Sequence, residues 1–202
     1  MKPQNIVIIK YNAGNIRSVN NALLRLGCEA EITADPDKIR RADKVIFPGV
    51  GEASTTMRYL HDHGLSSLIK ELRQPVLGIC LGMQLMCSHS EEGDVPCLGI
   101  FDEKVRKFQI PSPNPLNIKV PQMGWNQIHD VKSPLFDASL NGEYVYFVHS
   151  YYVAKGPDTS ATTDYILPYS SALQRDNFFA TQFHPEKSGP VGERILGNFL
   201  KI

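Results

Sequence analysis

Residues 74–84 read QPVLGICLGMQ, and the fold turns on how that stretch is understood. Residues 76–79 are a short apolar run with the composition of a strand buried on both faces. Cys80 follows at once, and a helical pattern runs from 81 to 89. Glycine stands two residues before the cysteine (Gly78) and two after it (Gly82). A G-x-nucleophile-x-G at a strand-to-helix junction is the pattern of a nucleophile elbow, here with cysteine in the serine position. The turn is sharp and strained, and glycine relieves the crowding around it. The helix points its N-terminus at the thiol, and its free N–H groups and dipole favour thiolate over thiol. The N–H of Leu81, next after the nucleophile, is a candidate donor to an oxyanion. A core cysteine flanked by packing glycines reads the same way in isolation, so the rest of the chain has to decide.

Outward from the elbow, strand and helix signals alternate. Strand-like runs at 5–9, 29–33 and 44–47 are separated by helical ones. The first helix is capped by Asn15, carries Ile16, Val19, Leu23, Leu24 and Leu26 near helical spacing, and stops at Gly27. The third strand ends in PGVG at 48–51, and helical patterns follow at 54–63 and 65–72. This alternation predicts an α/β fold with a mostly parallel sheet flanked by helices. Beyond residue 98, β-like runs at 104–108, 118–120, 144–148, 151–154, 169–174 and 178–183 predict additional antiparallel strands that extend or flank the sheet. PSPNP at 111–115 is a loop, and 191–202 a closing helix. With no repeat and no low-complexity linker, the 202 residues predict a single domain, 1–202.

Composition narrows the function classes. Twenty-one basic residues balance 21 acidic ones, which is no electrostatic footprint for nucleic acid or an anionic membrane. The opening apolar stretch is too short for a signal peptide, and no segment approaches the ~20 apolar residues of a membrane span. A cytoplasmic protein is expected. Cys28, Cys80, Cys87 and Cys97 are scattered without a CxxC pair, so they read as free thiols; all but Cys80 read as small buried hydrophobes. His61-Asp62-His63 lacks companion ligands and reads as a solvated helix end, and neither GxxxxGK nor GxGxxG occurs. No metal, nucleotide or flavin is expected.

A second chemical element is TQFHPEKS at 181–188. A cysteine nucleophile wants a histidine to take its proton, and the histidine wants a carboxylate to fix its tautomer. His184 and Glu186 are two apart, so an extended chain presents both on one side. The third element is Pro48-Gly49-Val50-Gly51, at the carboxyl end of the third strand. There, glycines let the backbone approach a substrate and offer N–H groups to an oxyanion. An H-x-E alone is an ordinary surface pair and PGVG alone a plain turn; it is their conjunction with the elbow that points to nucleophilic catalysis.

PVLGICLGMQL and TQFHPEKS are similar to the nucleophile and His-x-Glu signatures of the triad, or class I, glutamine amidotransferases. YNAGNIRSV at 11–19, PGVG, MGWN at 123–126 and YFVHSY at 146–151 resemble one branch of that family, the glutaminase subunits of imidazole glycerol phosphate synthase in histidine biosynthesis. The resemblance runs from residue 6 to the C-terminal helix. It implies a flavodoxin-like fold in which Cys80 attacks the carboxamide of glutamine, His184 moves the proton and Glu186 orients it. It further implies an oxyanion hole from Leu81, Val50 and Gly51, and substrate contacts from Gly49, Gln84, Glu92, His149, Ser150 and Tyr151. Glu91 stands beside Glu92 as an alternative, and His149 is implied to frame the site rather than act as the base. The implied partner is a (β/α)8 cyclase subunit, in a heterodimer, that receives the ammonia to form imidazole glycerol phosphate and AICAR; Asn12, Asn15, Met123 and Trp125 are the implied interface. Gln122 stands where many relatives carry histidine and is expected near that interface. A Val50–Gly51 peptide flip on partner binding is also expected. Three alternatives stay open: a glutaminase serving another synthase (anthranilate or pyridoxal phosphate), a non-catalytic binding module, and a stand-alone γ-glutamyl hydrolase.

Overall fold

The computed structural model describes residues 4–11, 15–115 and 117–202. All four residues of β1 (Ile6–Ile9) are buried, and they alternate between two cores. Ile6 and Ile8 face one and Val7 and Ile9 the other, because successive strand side chains point to opposite faces. The same two-sided burial holds for β3 (Lys44–Gly49) and β4 (Val76–Cys80), which is why these runs are apolar without alternation. One core is covered by α1 (Ile16–Arg25) and α6 (Gly189–Lys201), through Val19, Leu23, Ile195, Leu196 and Phe199. The other is covered by α2 (Pro36–Arg41), α3 (Ala53–Asp62), α4 (Leu65–Glu71) and α5 (Leu81–Met86), through Ile39, Leu60, Leu68 and Leu81. The result is a sheet between two helical layers.

Among the described residues, eleven strands form that sheet. Its parallel centre runs β2 (Ala30–Thr33), β1, β3, β4, β13 (Phe178–Thr181). Antiparallel pairing begins at β12 (Pro168–Arg175) and continues to β10 (Tyr151–Val153) and β7 (Lys104–Lys107), with β11 (Thr159–Asp164) also on β12. The short β5 (His89–Ser90) and β6 (Val95–Pro96) close that edge. A separate antiparallel ribbon joins β8 (Gln122–Gln127) to β9 (Tyr144–His149).

Several expectations shift. The helix expected over 81–89 ends at Met86, where Cys87 turns extended at ψ 176° and the chain enters β5. No strand forms over 118–120; it begins at Gln122, and the half-exposed β8 hides no continuous apolar run. Besides short pieces such as β5 and β6, two six-residue elements carry little sequence signal. The six-residue α2 buries only Ile39 and relies on Asp35, whose carboxylate accepts from the Asp37 and Lys38 N–H groups ahead of Pro36 in the first turn. β11 reads TSATTD, with no large apolar residue to mark it. Cys87 is fully buried as expected, but Cys28 and Cys97 are only half-buried.

Candidate active site

At the junction of β4 and α5, Cys80 adopts φ 54° and ψ −109°. A side chain held in that sparsely populated region costs about 1–3 kcal/mol. The strain therefore rests on the cysteine itself, and the flanking glycines serve a different end. A Cβ on Gly82 would stand 2.1 Å from the Phe47 carbonyl oxygen, and one on Gly49 2.5 Å from the Gly82 nitrogen. Glycine here lets α5 lie directly on β3, so that the strand and the first turn of the helix hold Cys80 between them. Gly49, expected as a substrate contact, is in register with Cys80 behind the cavity wall rather than on it.

Strand order brings the second motif to the first. β13 is the parallel neighbour of β4, and its continuation carries His184 and Glu186 to the same carboxyl end. Nδ1 of His184 lies 2.7 Å from Glu186 Oε1, with both side chains almost wholly buried. A carboxylate there fixes the proton on Nδ1 and leaves Nε2 for the cysteine. Burial disfavours charge on the ring, but the contacts with Cys80 and Glu186 outweigh it and raise the His184 pKa to about 10. Among the described residues Nε2 makes no hydrogen bond; beside it, the Cys80 S–H donates to the Val148 carbonyl at 3.9 Å, and the sulfur accepts from Gln182 Nε2 at 3.7 Å. Asn15, expected at an interface, is half-buried and donates from Nδ2 to Glu186 Oε1.

These groups open on a cavity of about 320 Å³ lined by Val50, Gly51, Cys80, Leu81, Gln84, Glu92, Pro121, Val148, His149, Ser150, Tyr151 and His184. Gly51 holds φ 130°, open to glycine and strained for any other residue. The loop it belongs to is anchored by Tyr11, whose buried hydroxyl donates to the Pro48 carbonyl. Glu92 is raised above the usual carboxylate range, by burial first and by nearby Glu52, against the Ala53 N–H that its Oε2 accepts at 2.9 Å. Its neighbour Glu91 instead accepts from the Lys107 N–H at 2.7 Å and is not on the cavity wall. His149 is pushed down to about 4, chiefly by burial and also by His184, although its Nδ1–H donates to the Tyr151 carbonyl at 2.7 Å. It is thus a neutral ring at pH 7. Behind it, the Tyr169 hydroxyl lies 3.2 Å from Nε2 and 2.9 Å from Gln122 Oε1. Gln122, expected near the interface, is 3% exposed and belongs to this inner support.

Of the implied interface residues, Met123 and Trp125 on β8 are 66% and 57% exposed; Asn12 lies outside the described residues. Sequence reasoning missed Tyr11, Tyr169 and Gln182. Gln182 was within reach, since it precedes His184 by the same two-residue step that relates His184 to Glu186. No helix among the described residues is long and apolar enough to cross a membrane.

An α/β sheet with a cysteine elbow and a His–Glu pair at its carboxyl edge is the arrangement of the class-I glutamine amidotransferases; that family's model matches residues 7–202, and the chain belongs to it. Within it, the chain is 62% identical over 197 residues to the imidazole glycerol phosphate synthase subunit HisH of Bacteroides fragilis, covering 98% of this chain and 99% of the relative. It is 47% identical over 199 residues to the HisH subunit of Pasteurella multocida, with 98% of each chain covered. The structure of PurLQS from Thermotoga maritima shares the fold at a TM-score of 0.71 and 17% identity, over 100% of this chain and 99% of that one.

Proposed function

We propose that this chain is the glutaminase subunit of an imidazole glycerol phosphate synthase. In this reading it hydrolyses glutamine in the cytoplasm, without a cofactor, and passes the ammonia to a cyclase subunit docked over the cavity. The full-length likeness to HisH subunits supports the pathway and the partner. The observation that carries the chemistry is the strained Cys80 at a cavity whose wall also holds His184, itself paired with Glu186 behind it.

Cys80 Sγ attacks the glutamine carboxamide carbon, and the carbonyl oxygen becomes an oxyanion. Leu81 N–H supplies one donor, and the Val50–Gly51 backbone the other once that peptide turns inward on partner binding. In acyl transfer, losing one such donor costs ~2.7–4 kcal/mol. His184 holds the proton released by the thiol and gives it to the nitrogen as the C–N bond breaks, so ammonia leaves and a glutamyl thioester remains. Water then attacks the thioester, His184 takes its proton, and the C–S bond breaks to free glutamate and the thiol. The Tyr151 carbonyl and Gln182 Oε1 occupy the N–H groups of Gln84. Its carbonyl is what remains for a ligand, which suits the substrate ammonium with Glu92 as counter-charge. Ser150 and Tyr151 frame the rest, and His149 holds the wall.

The test is glutamate release from glutamine, by the chain alone and with a cyclase subunit plus its nucleotide substrate. A low rate alone that rises strongly with the loaded partner is expected. A high rate indifferent to the partner would assign the chain to another synthase or to free γ-glutamyl hydrolysis. No turnover in either setting would leave only a binding module.

A further inference from the structure

We infer that Gln182 is a working part of the nucleophile: its side-chain amide donates to Cys80 Sγ and holds the sulfur in place as the thiol becomes thiolate. Gln182 is wholly buried, and its Nε2 lies 3.7 Å from the sulfur. Which end of an amide faces a neighbour is normally inferred from the network around it. Here the backbone settles it. The Tyr151 carbonyl can only accept, so Gln84 must present its NH2 there, at 3.0 Å. The second N–H of that group then donates to Gln182 Oε1 at 2.9 Å. With its oxygen so engaged, Gln182 has its own NH2 left for the sulfur. A single peptide carbonyl thus orients two buried amides and delivers an N–H to the nucleophile.

The consequence follows from the two bonds at the sulfur. In the thiol form, the S–H donates to the Val148 carbonyl and a sulfur lone pair accepts from Gln182. When the proton leaves for His184, the Val148 bond is lost, while the Gln182 bond remains and strengthens, because its acceptor has become an ion. Gln182 is the contact common to both states. It does not line the cavity, so its bond to the sulfur bears on the chemical step, and only its separate bond to Gln84 bears on binding.

Two variants separate its two contacts. Gln182→Glu is isosteric and keeps the acceptor for Gln84, but replaces the donor at the sulfur by a carboxyl oxygen. Gln182→Met removes both. At pH 8, Gln182→Glu is expected to slow alkylation of Cys80 by iodoacetamide, read by mass spectrometry on the Cys80 peptide, by roughly tenfold or more. In the complex with the cyclase subunit, kcat for glutamate release falls by a similar factor with KM within about twofold; Gln182→Met also raises KM, because Gln84 loses its hold. Folded Gln182→Met protein, which has no donor at the sulfur, overturns the proposal if it alkylates at the wild-type rate. The unaltered protein offers a third reading, independent of whether either variant folds. Alkylating Cys80 shifts the side-chain amide resonances of Gln182, and unmoved resonances also overturn it. The kinetic arm rests on the glutaminase reading, while the alkylation arm does not. An inactive wild type whose alkylation still depends on Gln182 sinks the function alone; an active one with Gln182-independent alkylation sinks this inference alone.

Discussion

Cys80 stores strain in its own backbone, and the side chain that needs the elbow pays in stability for being there. Cys80→Gly and Cys80→Ala are both expected to abolish glutamine hydrolysis, with the glycine variant the more stable by about 1 kcal/mol in urea unfolding. That reverses the order at ordinary strand positions, and an alanine variant as stable as the glycine one would show the backbone to be unstrained. His149 supplies a pH dependence. Its folded pKa is pushed to about 4 from an unfolded value near 6.5, so the unfolded chain takes up a proton first as the pH drops. The stability it contributes is full above pH ~6.5 and is lost as the pH falls towards 4. Thermal unfolding between pH 4 and 7 should show this limb in the wild type and a flatter one in His149→Gln. At this scale, Cys80, His184 and Glu186 were legible because G-x-C-x-G and H-x-E combine distinctive residue types at short, fixed spacings. The partners of Asn15 and Gln182 were not, since spacing can place an amide beside a site but its bonds appear only when its neighbours are known.

The six-residue α5 is too short to stand on propensity, and it exists because all of its residues are buried against the sheet. Gly82→Ala tests that contact. The added methyl would meet a backbone oxygen at 2.1 Å, so the helix must lift off β3, at a cost of about 3 kcal/mol or more and with loss of turnover. Gly197→Ala is the control, a helical glycine on α6 with open space around it; it is expected to be neutral or stabilising by up to ~1 kcal/mol. Equal melting temperatures for the two variants would refute the packing argument. Elements with continuous apolar runs, β1, β3 and β4, were readable from pattern alone. The helix end at Met86, the polar β11 and the shifted β8 were not, because tertiary pairing and not periodicity sets their limits.

Across the whole molecule, the ribbon of β8 and β9 joins an exposed apolar surface to the catalytic loop. Met123 and Trp125 face outward, while Tyr146, paired with Trp125 in the ribbon, accepts from the His184 backbone N–H at 2.9 Å and donates to Ser188 Oγ at 3.0 Å. The ribbon that carries this exposed surface is thus hydrogen-bonded directly to the segment that carries His184. Trp125→Ala is expected to leave stability within about 0.5 kcal/mol and the uncoupled glutaminase rate unchanged. It should weaken affinity for the cyclase subunit by roughly tenfold or more, as an exposed aromatic anchor would. Titration calorimetry of the two subunits measures this, and wild-type affinity would move the interface elsewhere.

The amino-acid sequence by itself determined the alternation of strand and helix, the elbow, and the choice of Cys80, His184 and Glu186 as the residues proposed to carry the chemistry. Each of these is written in local spacing, through side-chain period and backbone permissiveness. Tertiary structure alone decided that β13 lies beside β4, that Asn15 reaches Glu186 across 171 residues, and that Gln182 reaches Cys80 across 102. Those contacts depend on the order of strands in the sheet. That order is chosen by the packing of the whole core, and no local pattern records it.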